Sequence, residues 1–198
     1  MTSPHGGRIF PAFLKLAGRS VLVVGGSETL EGKVLPLLEA GAEVSVVAPV
    51  ISFKGKFPGV TCVERHFDPS DVDGKWYVVA EADEVTLEAV VQACERRQVF
   101  VNVVDDRRRA SAYLGGVIRR EGYVVAISSG GQSPAVAKLL RQGLERLLPE
   151  DLAEWTVLAR RLRERWRGEA TPHPRRVPEL FKALRARYSE SEERGDVE

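Results

Sequence analysis

Two adjacent carboxylates, Asp105 and Asp106, follow the run Asn102-Val103-Val104. An acid at that place can act as a general base or hold a cation, because open α/β sheets bind ligands beyond the carboxyl ends of their strands. Successive strand residues point to opposite faces, so only one of the two acids faces a cleft. The pair equally suits a solvated turn in which an Asp caps the next stretch of chain. A second stretch, Val23-Val24-Gly25-Gly26-Ser27-Glu28-Thr29-Leu30, joins a buried apolar run to a helical pattern. Backbone amides at such a junction, with the positive end of the helix, can hold a pyrophosphate. The dinucleotide fingerprint GxGxxG/A is met at Gly25, but Ser27 and Leu30 stand at its second and third glycines. No acid ends the next apolar run, which passes into Ala48-Pro49, and Glu28 adds negative charge. A dinucleotide site and a Rossmann-like scaffold without cofactor both remain open. The third stretch is Ser128-Ser129-Gly130-Gly131-Gln132-Ser133-Pro134-Ala135. Two serines and two glycines before a capped helix make either an anion-accepting loop or a plain loop with a cap.

These residues must be positioned by elements that the periodicity outlines. Residues 20–26 (SVLVVGG) read as a buried strand, and 28–40 as a helix stopped at Gly41. Pro36 should make that helix irregular, because it cannot donate to the Gly32 carbonyl and crowds it. Residues 43–48, 60–65, 76–80 and 100–104 read as further strands, with a helix over 86–97 whose Leu87, Val90, Val91 and Cys94 share one face. Alternating strands and helices argue for a parallel sheet covered on both faces. Residues 123–128 form one more strand, followed by a helix from about Pro134 to Leu148, with Ser133 as cap and Pro149 as stop. Residues 151–198 read as helical, with a break over 171–178 and a frayed acidic tail beyond Tyr188. Between Arg160 and Arg187 stand nine Arg and one Lys against three Glu. This is either a solvated helix face or a wall that receives a polyanion.

The chain has 198 residues, a net charge of +1, 43% hydrophobic and 29% charged residues. That balance excludes a disordered chain and argues against a nucleic-acid binder defined by bulk charge. No run is long and apolar enough to span a bilayer, and residues 1–8 carry no apolar signal core, so neither membrane nor export is expected. Cys62 and Cys94 form no CxxC pair and read as small core residues in a reducing cytoplasm. His5, His66 and His173 lack ligand spacing, and no metal site is expected.

Together, and in this order, the segments FPAFLKLAGRSVLVVGG (10–26), LLEAGAEVSVVAP (37–49), VNVVDD (101–106) and AISSGGQSPAVAKLLRQGLERLLP (126–149) resemble one family. It is the siroheme synthase N-terminal module, or precorrin-2 dehydrogenase/sirohydrochlorin ferrochelatase. The resemblance covers roughly residues 9–167. It implies an α/β fold: a Rossmann-like NAD-binding domain (1–114), a dimerisation segment (115–150) and a C-terminal helical domain (151–198). It implies a homodimer with its site near the subunit interface, NAD-dependent oxidation of precorrin-2 to sirohydrochlorin, and in bifunctional members insertion of ferrous iron. Asp105 is then the base. The cofactor is lined by Gly25, Gly26, Ser27, Glu28, Pro49, Ala82, Asp83 and Val104. The tetrapyrrole meets Asn102, Ser128, Ser129, Gly130 and Gly131, and the arginine-rich helices suit its carboxylates. Departures fall mainly on the cofactor side. The family's GGGxVAxRK is Gly25-Gly26-Ser27-Glu28-Thr29-Leu30-Glu31-Gly32-Lys33, and its AATDD is Ala80-Glu81-Ala82-Asp83-Glu84. Its Pro after the second Asp is Arg107, and a later Pro is Gly115. An NAD-independent metal chelatase and a non-catalytic tetrapyrrole-binding protein therefore stand as alternatives.

Overall fold

Val21, Leu22, Val23 and Val24 leave β1 (Ser20–Val24) no polar face, as befits a strand covered on both sides. Alternate side chains serve opposite layers. Val21 and Val23 pack with Leu30, Val34 and Leu37 of α1 (Glu28–Glu39), a helical i, i+4, i+7 stripe. Leu22 and Val24 pack instead with Leu87, Val90, Ala93 and Cys94 of α2 (Glu84–Arg97). β1 thus lies in the middle of the sheet with one core on either side.

The computed structural model describes residues 9–130 and 132–195. β2 (Glu43–Ala48), β3 (Thr61–Glu64), β4 (Tyr77–Ala80) and β5 (Phe100–Val103) join β1 in a five-stranded sheet of order β3-β2-β1-β4-β5. Every pairing in it is parallel. The chain winds outward from β1 to β3, then returns to place β4 on the other side of β1. The reversal opens a crevice at the carboxyl ends of β1 and β4. A one-turn 3-10 helix, Pro69–Val72, lies between β3 and β4, its start fixed by an Asp68–Asp71 capping box.

α1 continues unbroken through Pro36. Pro36 and Gly32 both lie on the exposed side of the helix, so the lost hydrogen bond is exposed rather than buried. β1 and β5 stop two and one residues before the limits read from the sequence, β4 starts one residue later, β3 is one residue shorter at each end, and β2 matches.

The described chain divides into two compact units, with the loop 128–133 grouped with the residues up to Leu114. The second unit holds β6 (Gly116–Arg120), β7 (Tyr123–Ile127), α3 (Pro134–Leu147), α4 (Leu152–Gly168) and α5 (His173–Gly195). β6, unread in the sequence, pairs antiparallel with β7. Glu121 and Gly122 turn the hairpin with φ of 48° and 81°, the primed turn that matches strand twist. The helical break falls over 169–172 rather than over 171–178, and Pro178 lies inside α5. There it deprives only the Pro174 carbonyl of a donor. α5 runs past Tyr188, where fraying was expected, to Gly195; residues 196–198 lie outside the described residues.

Candidate functional site

The crevice end of β1 is shaped by what its two glycines touch. Gly25 has φ of 122°, and a Cβ on it would lie 2.2 Å from the Glu81 carbonyl oxygen. A Cβ on Gly26 would lie 2.0 Å from the Val50 carbonyl oxygen. Both glycines therefore let neighbouring strand ends close against the turn. The Gly25 amide donates to Val47 at 2.9 Å, and the Glu81 amide to Val24 at 2.9 Å. Ser52 donates from its amide and hydroxyl to the Gly26 carbonyl. Pro49 is exposed just beyond β2, next to the Val50–Ile51 segment that covers Gly26.

Ser27 caps α1, its Oγ accepting from the Leu30 amide at 3.3 Å. The amides of Gly26, Ser27, Glu28 and Thr29 have no acceptor among the described residues. An open first helical turn at the switch crevice fits a pyrophosphate. The acidic surroundings oppose it. Glu28 and Glu31 lie in that first turn, and the Ser27 hydroxyl donates to the Glu81 carboxylate.

At β4, half-buried Ala82 leads to Asp83, the N-cap of α2, which accepts from the Thr86 amide at 3.0 Å and the Thr86 hydroxyl at 2.8 Å. Those two bonds hold the Asp83 carboxyl below the usual carboxylate range. The Val104 amide donates to Ala80 at 2.9 Å and keeps the end of β5 beside that of β4.

Asp105 and Asp106 are separated by their backbones. Asp105 takes a left-handed φ of 57° and is exposed, and no hydrogen bond to its carboxylate is present among the described residues. Asp106 is half-buried and turned inward, accepting from the amides of Arg108 at 2.9 Å and Arg109 at 3.3 Å. Its other oxygen stands 3.5 Å from the Arg109 guanidinium. Arg109 also pairs with Glu84 and holds that carboxyl below its usual range. Asn102 is 8% exposed and spends its amide on the Ala112 carbonyl at 3.0 Å. Ser111 bonds both backbone groups of Val101, so residues 110–112 run along the edge of β5.

In the serine loop the Ser128 hydroxyl accepts from the Gly130 amide at 3.1 Å, and the Ser129 hydroxyl from the Ser133 amide at 3.0 Å. Gly130 packs on Ile9, where a Cβ would come within 2.8 Å of a side-chain carbon. Gly131, like His5, lies outside the described residues. The Glu81–Ser27 contact and the Arg109–Glu84–Asp106 cluster were not foreseen. The Ser27–Glu81 and Arg109–Glu84 bonds join residues 54 and 25 positions apart, and the added negative charge at Glu81 was the sign of the first.

Among the described residues no group of three or more His, Cys, Asp or Glu is gathered to hold a metal ion. No helix among them is long and apolar enough to cross a membrane. Cys94 is buried, which pushes its thiol up to about 11, and Cys62 is half-buried.

This strand order, with its glycine turn at the switch crevice, defines a Rossmann-type nucleotide-binding fold. Residues 12–116 match a family described as NAD(P)-binding, and residues 125–147 match one described as sirohaem biosynthesis protein central. The chain belongs to the siroheme synthase N-terminal module family, an NAD(P)-binding domain followed by the sirohaem central segment. It is 41% identical over 160 residues to siroheme synthase 3 of Aeromonas hydrophila subsp. hydrophila, covering 78% of this chain and 34% of that protein. It is 40% identical over 163 residues to siroheme synthase 2 of Yersinia enterocolitica, covering 79% and 34%. The chain thus spans about a third of the length of the curated relatives it matches. Among solved structures, the precorrin-2 dehydrogenase SirC is similar in fold, with a TM-score of 0.65, 23% identity and 88% of each chain covered.

Proposed function

We propose that the chain is a precorrin-2 dehydrogenase, oxidising the macrocycle to sirohydrochlorin with NAD as acceptor. The observation that carries this is the contrast between the two acids after β5. Asp106 is consumed by two backbone amides and Arg109, whereas Asp105 presents a free carboxylate at the carboxyl end of the sheet. Oxidation removes a hydride and a proton from the substrate; NAD, when bound, supplies the hydride acceptor. Asp105 takes the proton. The open amides of Gly26, Ser27, Glu28 and Thr29 hold the pyrophosphate, with Gly25, Pro49, Ala82, Asp83 and Val104 around the cofactor.

Ser128 and Ser129 each accept from a backbone amide, which leaves each hydroxyl hydrogen free for a substrate carboxylate. Gly130 and Gly131 complete that loop. Asn102 acts by fixing the Ala112 strap beside the base.

The reading includes a homodimer. On α3, Val136, Leu139, Leu140, Leu144 and Leu147 form one exposed stripe, with Leu139 68% and Leu147 77% exposed. A stripe of that extent suits a second copy, in keeping with a dimerisation segment at 115–150 and a helical domain at 151–198. The cytoplasm, where Cys62 and Cys94 stay reduced, is the place assigned to it.

A second reading, NAD-independent insertion of ferrous iron as substrate, is favoured by the negative charge of Glu28 and Glu81 at the glycine turn, which opposes a dinucleotide pyrophosphate. Asp105 would then take the pyrrole protons. The test is anaerobic turnover of precorrin-2 by the wild type, Asp105→Asn and Asp106→Asn. Loss confined to Asp105→Asn supports the base assignment, and full turnover in that variant overturns it. Iron insertion into supplied sirohydrochlorin without nucleotide, with no oxidation, selects the second reading.

A further inference from the structure

Glu81 is held firmly in place. Its amide donates to Val24 at 2.9 Å, and its carbonyl oxygen fills the space a Cβ on Gly25 would need. Its carboxylate accepts the Ser27 hydroxyl hydrogen, while the Ser27 oxygen accepts the Leu30 amide. The protein therefore places a carboxylate of its own beside the cap of α1. That turn already carries Glu28 and Glu31, and its open amides favour an anion.

We propose that Glu81 is an internal competitor of the dinucleotide pyrophosphate, latched to the turn through Ser27, and that it sets the affinity of this chain for its cofactor. The inference rests on the dinucleotide reading of the β1–α1 turn. To seat, the phosphates must break the Ser27–Glu81 contact or share the turn with a like charge, and either lowers affinity. The effect is specific to phosphate. A ligand carrying the adenine and ribose without phosphates does not meet the latch.

The experiment is calorimetric titration of the full chain with NAD⁺, and with adenosine as the phosphate-free probe. Wild type, Glu81→Gln and Glu81→Ala are compared. Glu81→Gln keeps size and hydrogen bonding and decides the matter if Glu81→Ala fails to fold, as read by circular dichroism. The expected result is an NAD⁺ Kd at least about tenfold lower in both variants, with adenosine binding unchanged. NAD⁺ binding that is measurable in wild type and does not tighten in the variants overturns the latch and leaves the dinucleotide reading standing. Tightening that is equal for adenosine also overturns it, since the effect is then general packing. No NAD⁺ binding in any of the three proteins removes both.

Discussion

At the scale of the residue, the site is decided by single side chains whose neighbours differ. Asp105 and Asp106 are chemically identical and adjacent, yet the left-handed backbone of Asp105 sends them to different surroundings. Asp105→Asn keeps the shape and the αL tolerance of an Asx residue. It should leave the melting temperature unchanged and lower kcat by about 10²–10⁴-fold, read in the precorrin-2 assay. Asp106→Ala should do the reverse. It frees two backbone amides and the Arg109 guanidinium and should cost about 1–2 kcal/mol in denaturant unfolding, while kcat falls far less. The sequence placed this pair at the carboxyl end of a strand, alternation left one of the two facing a cleft, and the resemblance favoured Asp105. What alternation alone could not give is the φ of 57°, because the reversal belongs to the turn and not to the strand.

Elements position these residues, and most of them were legible. Buried strands announce themselves by unbroken apolar runs, and α1 and α2 by stripes of Leu, Val, Ala and Cys. β6 escaped because Gly116-Val117-Ile118-Arg119-Arg120 is short and half polar and gains meaning only when paired with β7. Pro36 marks another limit. The rule against proline in helices holds locally, but packing of Leu30, Val34 and Leu37 outweighs it. Pro36→Ala should therefore restore a donor and raise stability by about 1–3 kcal/mol, visible as a higher melting temperature. A lower melting temperature would show that the ring contributes packing of its own. Acid titration tests the caps and ion pairs. The carboxyls of Asp71, Asp83 and Glu84 are lowered by Arg65, Thr86 and Arg109 respectively. For groups whose folded pKa is depressed, the stabilisation is present above the unfolded value and is lost as pH falls. Unfolding free energy should decline as the pH drops below about 4.

For the whole molecule, the predictions concern assembly and turnover. The α3 stripe is too apolar to face water without consequence in a concentrated solution. Leu139→Glu with Leu147→Glu should convert a dimer to a monomer in light scattering while far-UV circular dichroism stays unchanged. A dimer that survives both substitutions would place the interface elsewhere. The layered α/β architecture was legible because β1, β2, β4 and β5 carry buried apolar runs and α1 and α2 cover the two faces, while edge strand β3 shows only alternation. Part of the acidic character of the cofactor turn was visible in Glu28 itself, and Glu81 stood out as a departure from the family pattern. Its physical form, Glu81 bonded to Ser27 across 54 positions, appears only when β1 and β4 are neighbours. The most direct measurement is anaerobic incubation of the purified chain with precorrin-2, with and without NAD⁺, following macrocycle absorbance and NADH together. Sirohydrochlorin and NADH formed in equal amounts, and only when NAD⁺ is present, is the predicted result. Absence of oxidation with NAD⁺ present would contradict it.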